Sequence, residues 1–147
     1  MTKKLAKILT MGVLIIMSIG LLTGCGAGEN IEFSVGTAWV NNYDKQFTKI
    51  INSLDDIADG AVSLEEKYDN DFFADNSLII VAFKTRSGGG EIEEIKAVRQ
   101  GNKVVITING SKGMQAVISS QIAVLEVKKE AISGVNKIQF TTNMDKY

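Results

Sequence analysis

The chain has 147 residues, 22% charged and 45% hydrophobic, with a formal net charge of −1, one cysteine, no histidine and no proline. Near-neutral charge argues against nucleic acid as a partner, because that binding depends on clustered Lys and Arg neutralising phosphates. Without imidazole there is no histidine general base, no Ser-His-Asp arrangement and no histidine metal ligand, and a lone cysteine excludes an internal disulfide framework.

At the N-terminus, Lys3, Lys4 and Lys7 form a positive leader ahead of an apolar run from Ile8 to Leu22. The run has the length of a signal-peptide core and falls short of the ~20 residues that a membrane-spanning helix needs. It closes on Leu22, Thr23, Gly24 and Cys25, the only cysteine in the chain. This Leu-Thr-Gly-Cys resembles the bacterial lipobox, which implies cleavage just before Cys25 and a covalent diacylglyceryl lipid on its thiol. The expected organisation is a cleaved signal peptide over 1–24, a lipidated cysteine and short tether over 25–30, and one β-rich globular domain over 31–147. Acyl chains hold a protein on a bilayer through about 0.8 kcal/mol per buried CH₂, so the expected location is the cell membrane, on its extracytoplasmic face. Cleavage would remove three lysines and no acids, leaving thirteen basic and seventeen acidic residues, a net charge of −4. Such a chain offers no second, electrostatic attachment to anionic lipid.

Beyond the tether, Phe33, Val35, Thr37 and Trp39 alternate with Ser34, Gly36 and Ala38, the period of a half-buried strand with Trp39 inward. Residues 41–44 read as a polar turn carrying Tyr43. The segment through Ile51 suits strand or helix, and the strand is preferred. Ser53 with Asp56, and Ser63 with Glu66, have capping-box spacing, which predicts helical turns near 53–59 and 63–68 separated at Gly60. Residues 76–84, NSLIIVAFK, form an apolar, β-branched run bounded by polar residues, the pattern of a central strand. Residues 91–110 read as a hairpin turning at Gly101-Asn102, with a bulge where the alternation slips between Ile92 and Ile95. Later strands are expected from about Ile122 to Lys128 and over 136–142, with Ile138 and Phe140 inward. Connections are too short for βαβ crossovers. The expected fold is mainly β (α+β): a small antiparallel sheet or sandwich with one or two short helices.

The segments YDNDFFADNSLIIVAF, SGGGEI, GNKVVITI and MQAVISSQIAVLEVKK, in that order, resemble the C-terminal domain of a family of bacterial lipoproteins named for an accessory component of a surface protease complex. The resemblance covers roughly Tyr68 to Lys129, and its motifs are strand patterns and turn glycines. It implies an extracytoplasmic β-rich binding domain. Two positions depart from the family pattern: Ser87-Gly88-Gly89-Gly90 stands in place of Thr-Gly-Gly-Tyr, and Ser120-Gln121 in place of Pro-Tyr.

No catalytic residue, metal ligand or cofactor is assigned apart from the lipid on Cys25. Asp69, Asp71 and Asp75, with Asn70 and Asn76, supply oxygens of the type Ca²⁺ prefers, but no glycine sits at the sixth loop position and Phe72-Phe73 occupies the middle. They read as a solvated turn whose side chains cap helical ends. Asp55, Asp56 and Asp59 suit the positive end of a helix dipole. Gly88, Gly89 and Gly90 are followed by neither the helix nor the basic residue that a phosphate loop needs, so they read as a flexible loop able to close over a partner. Tyr43 and Met114 complete the candidate contact set, as an aromatic in a polar turn and an adaptable apolar group in a late loop.

These observations favour a lipid-anchored binding or accessory domain that holds a partner protein, such as an exported protease or envelope enzyme, at the membrane. Contact would come from loop aromatics and Met, or from strand addition at an open sheet edge. The alternative is a small-molecule or glycan-binding lipoprotein with Trp39 or Tyr43 in a pocket. A hydrolase with paired carboxylates, Asp69 with Asp75 or Glu93 with Glu94, ranks third.

Overall fold

The structure is a computed structural model and describes residues 28–146. The signal segment with Leu22, Thr23, Gly24 and Cys25 lies outside the described residues. Ten strands follow in chain order: β1 (Glu29–Asn30), β2 (Phe33–Val35), β3 (Ala38–Val40), β4 (Gln46–Ile51), β5 (Val62–Leu64), β6 (Asn76–Thr85), β7 (Ile92–Gln100), β8 (Lys103–Gly110), β9 (Ser119–Lys128) and β10 (Lys137–Thr142). One turn of α-helix, α1 (Phe72–Asp75), and 3-10 turns over Leu54–Ile57 and Lys129–Ile132 complete the elements. The mainly β expectation is met, with short helical pieces at the margins.

β6 organises the molecule. It is apolar on both sides of its pleat, with Leu78, Ile80 and Ala82 facing one way and Ile79, Val81 and Phe83 the other, all fully buried. Such a run is stable only where both faces are covered. β6 lies inside an antiparallel central sheet of order β2-β9-β6-β4. One face packs against a second sheet of order β1-β7-β8-β10, where Ile79, Val81, Phe83 and Leu125 meet Ala97, Val104, Ile106 and Ile108. The other face, with Ile51, Leu78, Ile80 and Val124, lies under Ala38, Val62, Tyr68 and Phe73 from the β3-β5 ribbon and α1.

β7 and β8 form the expected hairpin, with Gln100 opposite Lys103 across a two-residue turn. Gly101 there has φ +62°, a conformation that glycine adopts without steric cost. The ladder shifts register between Ile92 and Glu94, the expected bulge. It returns both Ile92 and Ile95 to the face that packs on the core. One pairing departs from a purely antiparallel arrangement: β10 runs parallel to β8. After β8 the chain crosses to the central sheet as β9 and returns through the Lys129–Ile132 turn. An antiparallel strand in the other layer thus performs the crossover, and no helix is needed.

Three local expectations are corrected. The strand read from Phe33 to Trp39 is broken at Gly36-Thr37 into β2, which pairs with β9, and β3, which pairs with β5. A Cβ on Gly36 would come within 2.2 Å of the Tyr68 hydroxyl and 2.9 Å of Glu126 Oε1, so a side chain has no room where the chain changes sheets. The break inverts the alternation: Ala38 is buried and Trp39 is 53% exposed. Ser63 lies in β5 and starts no helix; its neighbour Val62 fills the core instead. Finally, Glu29 and Asn30, expected in the tether, pair with Arg99 and Val98.

Ser53 and Asp56 match their expected roles. The Asp56 carboxylate accepts hydrogen bonds from the backbone N–H groups of Asn52 (2.7 Å) and Ser53 (3.1 Å). Gly60, with φ +73°, ends that turn.

Candidate functional site

The strands give the molecule two poles. At one, β1 enters beside the C-terminal end of β7, and Arg99 binds the carbonyls of Gly101, Ala131 and Ser133. Gly28, the first described residue, sits there: an added Cβ would lie 2.4 Å from the Val98 side chain. The opposite pole carries the β6–β7 loop (86–91), the β8–β9 loop (111–118), the start of β4 and the C-terminal segment. Tyr43, Gly88, Gly89, Gly90 and Met114 all lie at this second pole.

The two loops are zipped together. Gly88 donates its N–H to the Gln115 carbonyl at 2.8 Å, and Gln115 returns the bond to the Gly88 carbonyl at 3.2 Å. This bridge continues the β6–β9 ladder past its last regular pair, Thr85 with Ser119. Gly113 must be glycine for the loops to meet, since an added Cβ would lie 1.9 Å from the Gly88 carbonyl oxygen. Gly90 is held by Gln121, whose amide donates to its carbonyl at 3.0 Å. Gly88 and Gly90 are buried, and only Gly89, with φ +85°, is exposed at the tip. The freely flexible glycine loop expected from composition is therefore a braced support.

That support presents apolar side chains to solvent. Met114 is 100% exposed, and Val117 and Ile118, a few residues on, are each about half exposed. Three exposed apolar side chains within five residues make this loop the candidate contact surface. Sequence reasoning found Met114 and missed Val117 and Ile118, because an apolar pair preceding a strand pattern reads as strand core. Tyr43 stands apart on the flank of the same pole. Its hydroxyl donates to the Phe83 carbonyl at 3.5 Å and the Lys84 ammonium lies 5.5 Å from its ring centroid, so it faces β6 and not the loops. Its half-burial limits what it can offer a partner.

A second cluster lies on the covered face of the central sheet. The buried Tyr68 donates its hydroxyl to Glu126 Oε1 at 2.7 Å and accepts the Thr37 N–H at 3.1 Å, while the Lys67 ammonium binds the same carboxylate oxygen at 3.1 Å. Burial, reinforced by the Glu126 carboxylate, pushes the Tyr68 phenol above its ordinary range. Burial also opposes charge on Lys67, but hydrogen bonds to Tyr68 and Glu126 outweigh it and raise that group. The Tyr68 hydroxyl, the Lys67 ammonium and Glu126 Oε1 are joined to one another, so the cluster serves as a clasp between the 65–69 segment and β9.

The acidic residues serve local structure. Asp69 accepts the Phe72 N–H at 2.9 Å at the start of α1, and Asn76 donates to the Phe72 carbonyl at 3.0 Å, as caps are expected to do. Asp59 pairs with Lys49 at 2.9 Å, which with the Ala61 N–H holds its carboxyl below the usual range. Glu94 binds Lys96 and Asn109. Among the described residues no three acidic side chains converge as a metal site would require, and no helix is long and apolar enough to cross a membrane.

Known proteins supply no further guide. The chain matches no protein family, no curated protein and no solved structure.

Proposed function

We propose that this chain is a lipid-anchored, extracytoplasmic accessory domain that holds a partner protein at the membrane, the partner being an exported protease or another envelope enzyme. The observation that carries the reading is polar asymmetry. Gly28, three residues after Cys25, packs at one pole, while Met114, Val117 and Ile118 are presented at the other. An anchor on Cys25 would hold the entry pole at the bilayer and turn the apolar loop away from it. Three residues span at most ~10 Å, short against the ~30 Å of a ten-residue strand, so the tether gives the far pole little freedom to fold back. A flank rich in Met and aliphatic groups buries area well against a protein and needs no charge complementarity.

The test is crosslinking in the native membrane followed by gentle solubilisation and mass spectrometry, with Cys25→Ser as the unanchored control. One stoichiometric exported protein, lost when Met114 and Val117 are both changed to Ser, is the expected result. An intact, anchored protein that captures nothing sinks the reading.

A further inference from the structure

Edge strands expose unpaired N–H and C=O groups, and proteins guard them with charges, prolines, bulges or covering segments. Three of the open edges here are guarded. The outer side of β7 between Ile92 and Lys96 carries Glu93, Glu94, Lys96 and the bulge. β4 carries Lys49. β10 begins at Lys137 and has the Lys146 ammonium 4.6 Å from its Phe140 ring. The C-terminal segment also straps the β10–β4 side, with Arg86 donating to the Asp145 carbonyl and Lys146 reaching Gln46.

Among the described residues, the flank of β9 beyond the end of β2 carries no such guard. β2 pairs with β9 only from Leu125 to Val127, and its last hydrogen bond is Gly36 N–H to the Val124 carbonyl at 2.8 Å. Because main-chain groups alternate in direction along a strand, the N–H and C=O of Ile122 and Ser120 point to the same side as those of Val124. Among the described residues no strand pairs with that side of 119–123. The chain is uncharged from Gly113 to Leu125, and β9 contains neither proline nor a register shift from Ser119 to Leu125. Apolar groups line the gap: Val35, 67% exposed, at the end of β2, with Val117 and Ile118 at the far end. Ile92 and Ile95 on the facing sheet are only partly buried.

The geometry points to strand addition at β9: an extended, uncharged segment of another exported polypeptide, with apolar side chains at alternate positions, continues β2 along 119–123. This deepens the accessory reading and rests on it. An uncharged edge favours an uncharged strand, since a buried charge there would meet no partner. A second copy of this chain fits less well. Antiparallel β9–β9 pairing puts the entry poles of the two copies at opposite ends, whereas anchors on one membrane need them on the same side.

The lipidated full chain in detergent micelles is panned against a phage-displayed library of random seven-residue peptides, and a selected peptide is then synthesised. Selected sequences should be uncharged and alternately apolar, and saturation should slow amide exchange at Ser120 and Ile122 at least tenfold. Ser120→Pro removes one outward N–H from an exposed edge position and should weaken binding at least tenfold. Ser120→Ala leaves the backbone intact and should stay within twofold. If the proline variant unfolds, N-methylation of the peptide at alternate residues must abolish binding in its place. Charged selected sequences, no enrichment, or bound peptide without protection at Ser120 and Ile122 would overturn the proposal. So would peptide-independent protection that grows with concentration alongside a doubled mass, the signature of self-pairing. A membrane partner that Ser120→Pro still captures removes the edge mode and leaves the accessory reading standing. Peptide binding at the edge with no partner captured in the membrane does the reverse.

Discussion

Tyr68→Phe isolates one oxygen in the clasp that binds the 65–69 segment to β9. The wild-type hydroxyl donates to Glu126 at 2.7 Å and accepts from the Thr37 N–H at 3.1 Å, and the side chain is buried. Phenylalanine keeps the ring packing against Phe72 and loses both hydrogen bonds. Glu126 retains Lys67, so no unpaired charge is created, whereas the Thr37 N–H loses its acceptor. A hydrogen bond to a charged group contributes about 1.5–3 kcal/mol, so a loss of about 2 kcal/mol is expected. For a folded unit of about 120 residues, an unfolding entropy near 2.1 cal/mol/K per residue converts this to a drop in Tm of roughly 8 °C. The assay is thermal unfolding followed by circular dichroism at neutral pH. A drop below about 2 °C would show that the hydroxyl is not the link described.

The same pair makes a pH prediction with a definite sign. The Tyr68 pKa is raised in the folded protein, by burial first and then by Glu126. The folded state therefore holds this proton more tightly than the unfolded state does. The associated stability is fully present below the ordinary phenol pKa of about 10 and is lost as pH rises through the folded value. The stability gap between wild type and Tyr68→Phe should narrow above pH ~10; a gap constant from pH 7 to 11 refutes the assignment.

Three further outcomes follow from the packing. Ile106→Ala, at a fully buried position between the two sheets, should cost about 2–5 kcal/mol in urea unfolding with little change in slope. Gly113→Ala should break the Gly88–Gln115 bridge, because its Cβ cannot fit beside the Gly88 carbonyl, and hydrogen exchange at both amides should speed up selectively. Met114→Ser combined with Val117→Ser should leave Tm within about 2 °C, since Met114 is fully exposed and Val117 half exposed, while abolishing partner crosslinking. Unfolding of that double variant would show instead that the loop is structural.

Much of the strand framework was legible in local pattern. The doubly apolar run of β6, the Gly101-Asn102 hairpin, the slip at Ile92 and the Ser53–Asp56 cap each depend on neighbours within a few residues, so sequence carries them directly. The proposed contact surface was half legible. Composition drew attention to Met114, Tyr43 and the glycines, but not to what they touch. Gly88 and Gly90 proved to be bracing positions, Tyr43 turned toward β6, and Val117 and Ile118 took the exposed role.

What the sequence determined by itself was periodicity and punctuation: which stretches alternate, which run apolar on both faces, and where glycine permits a turn. What the tertiary structure alone decided was which sheet each strand joins. Phe33 to Trp39 carries the alternation of one strand, yet the Tyr68 hydroxyl and Glu126 occupy the space at Gly36 and divide it between two sheets, leaving Trp39 outside. The parallel β8–β10 pair and the unpaired flank of β9 arise the same way. Each depends on partners distant in sequence, and a strand's own residues do not encode whether a neighbour reaches its edge.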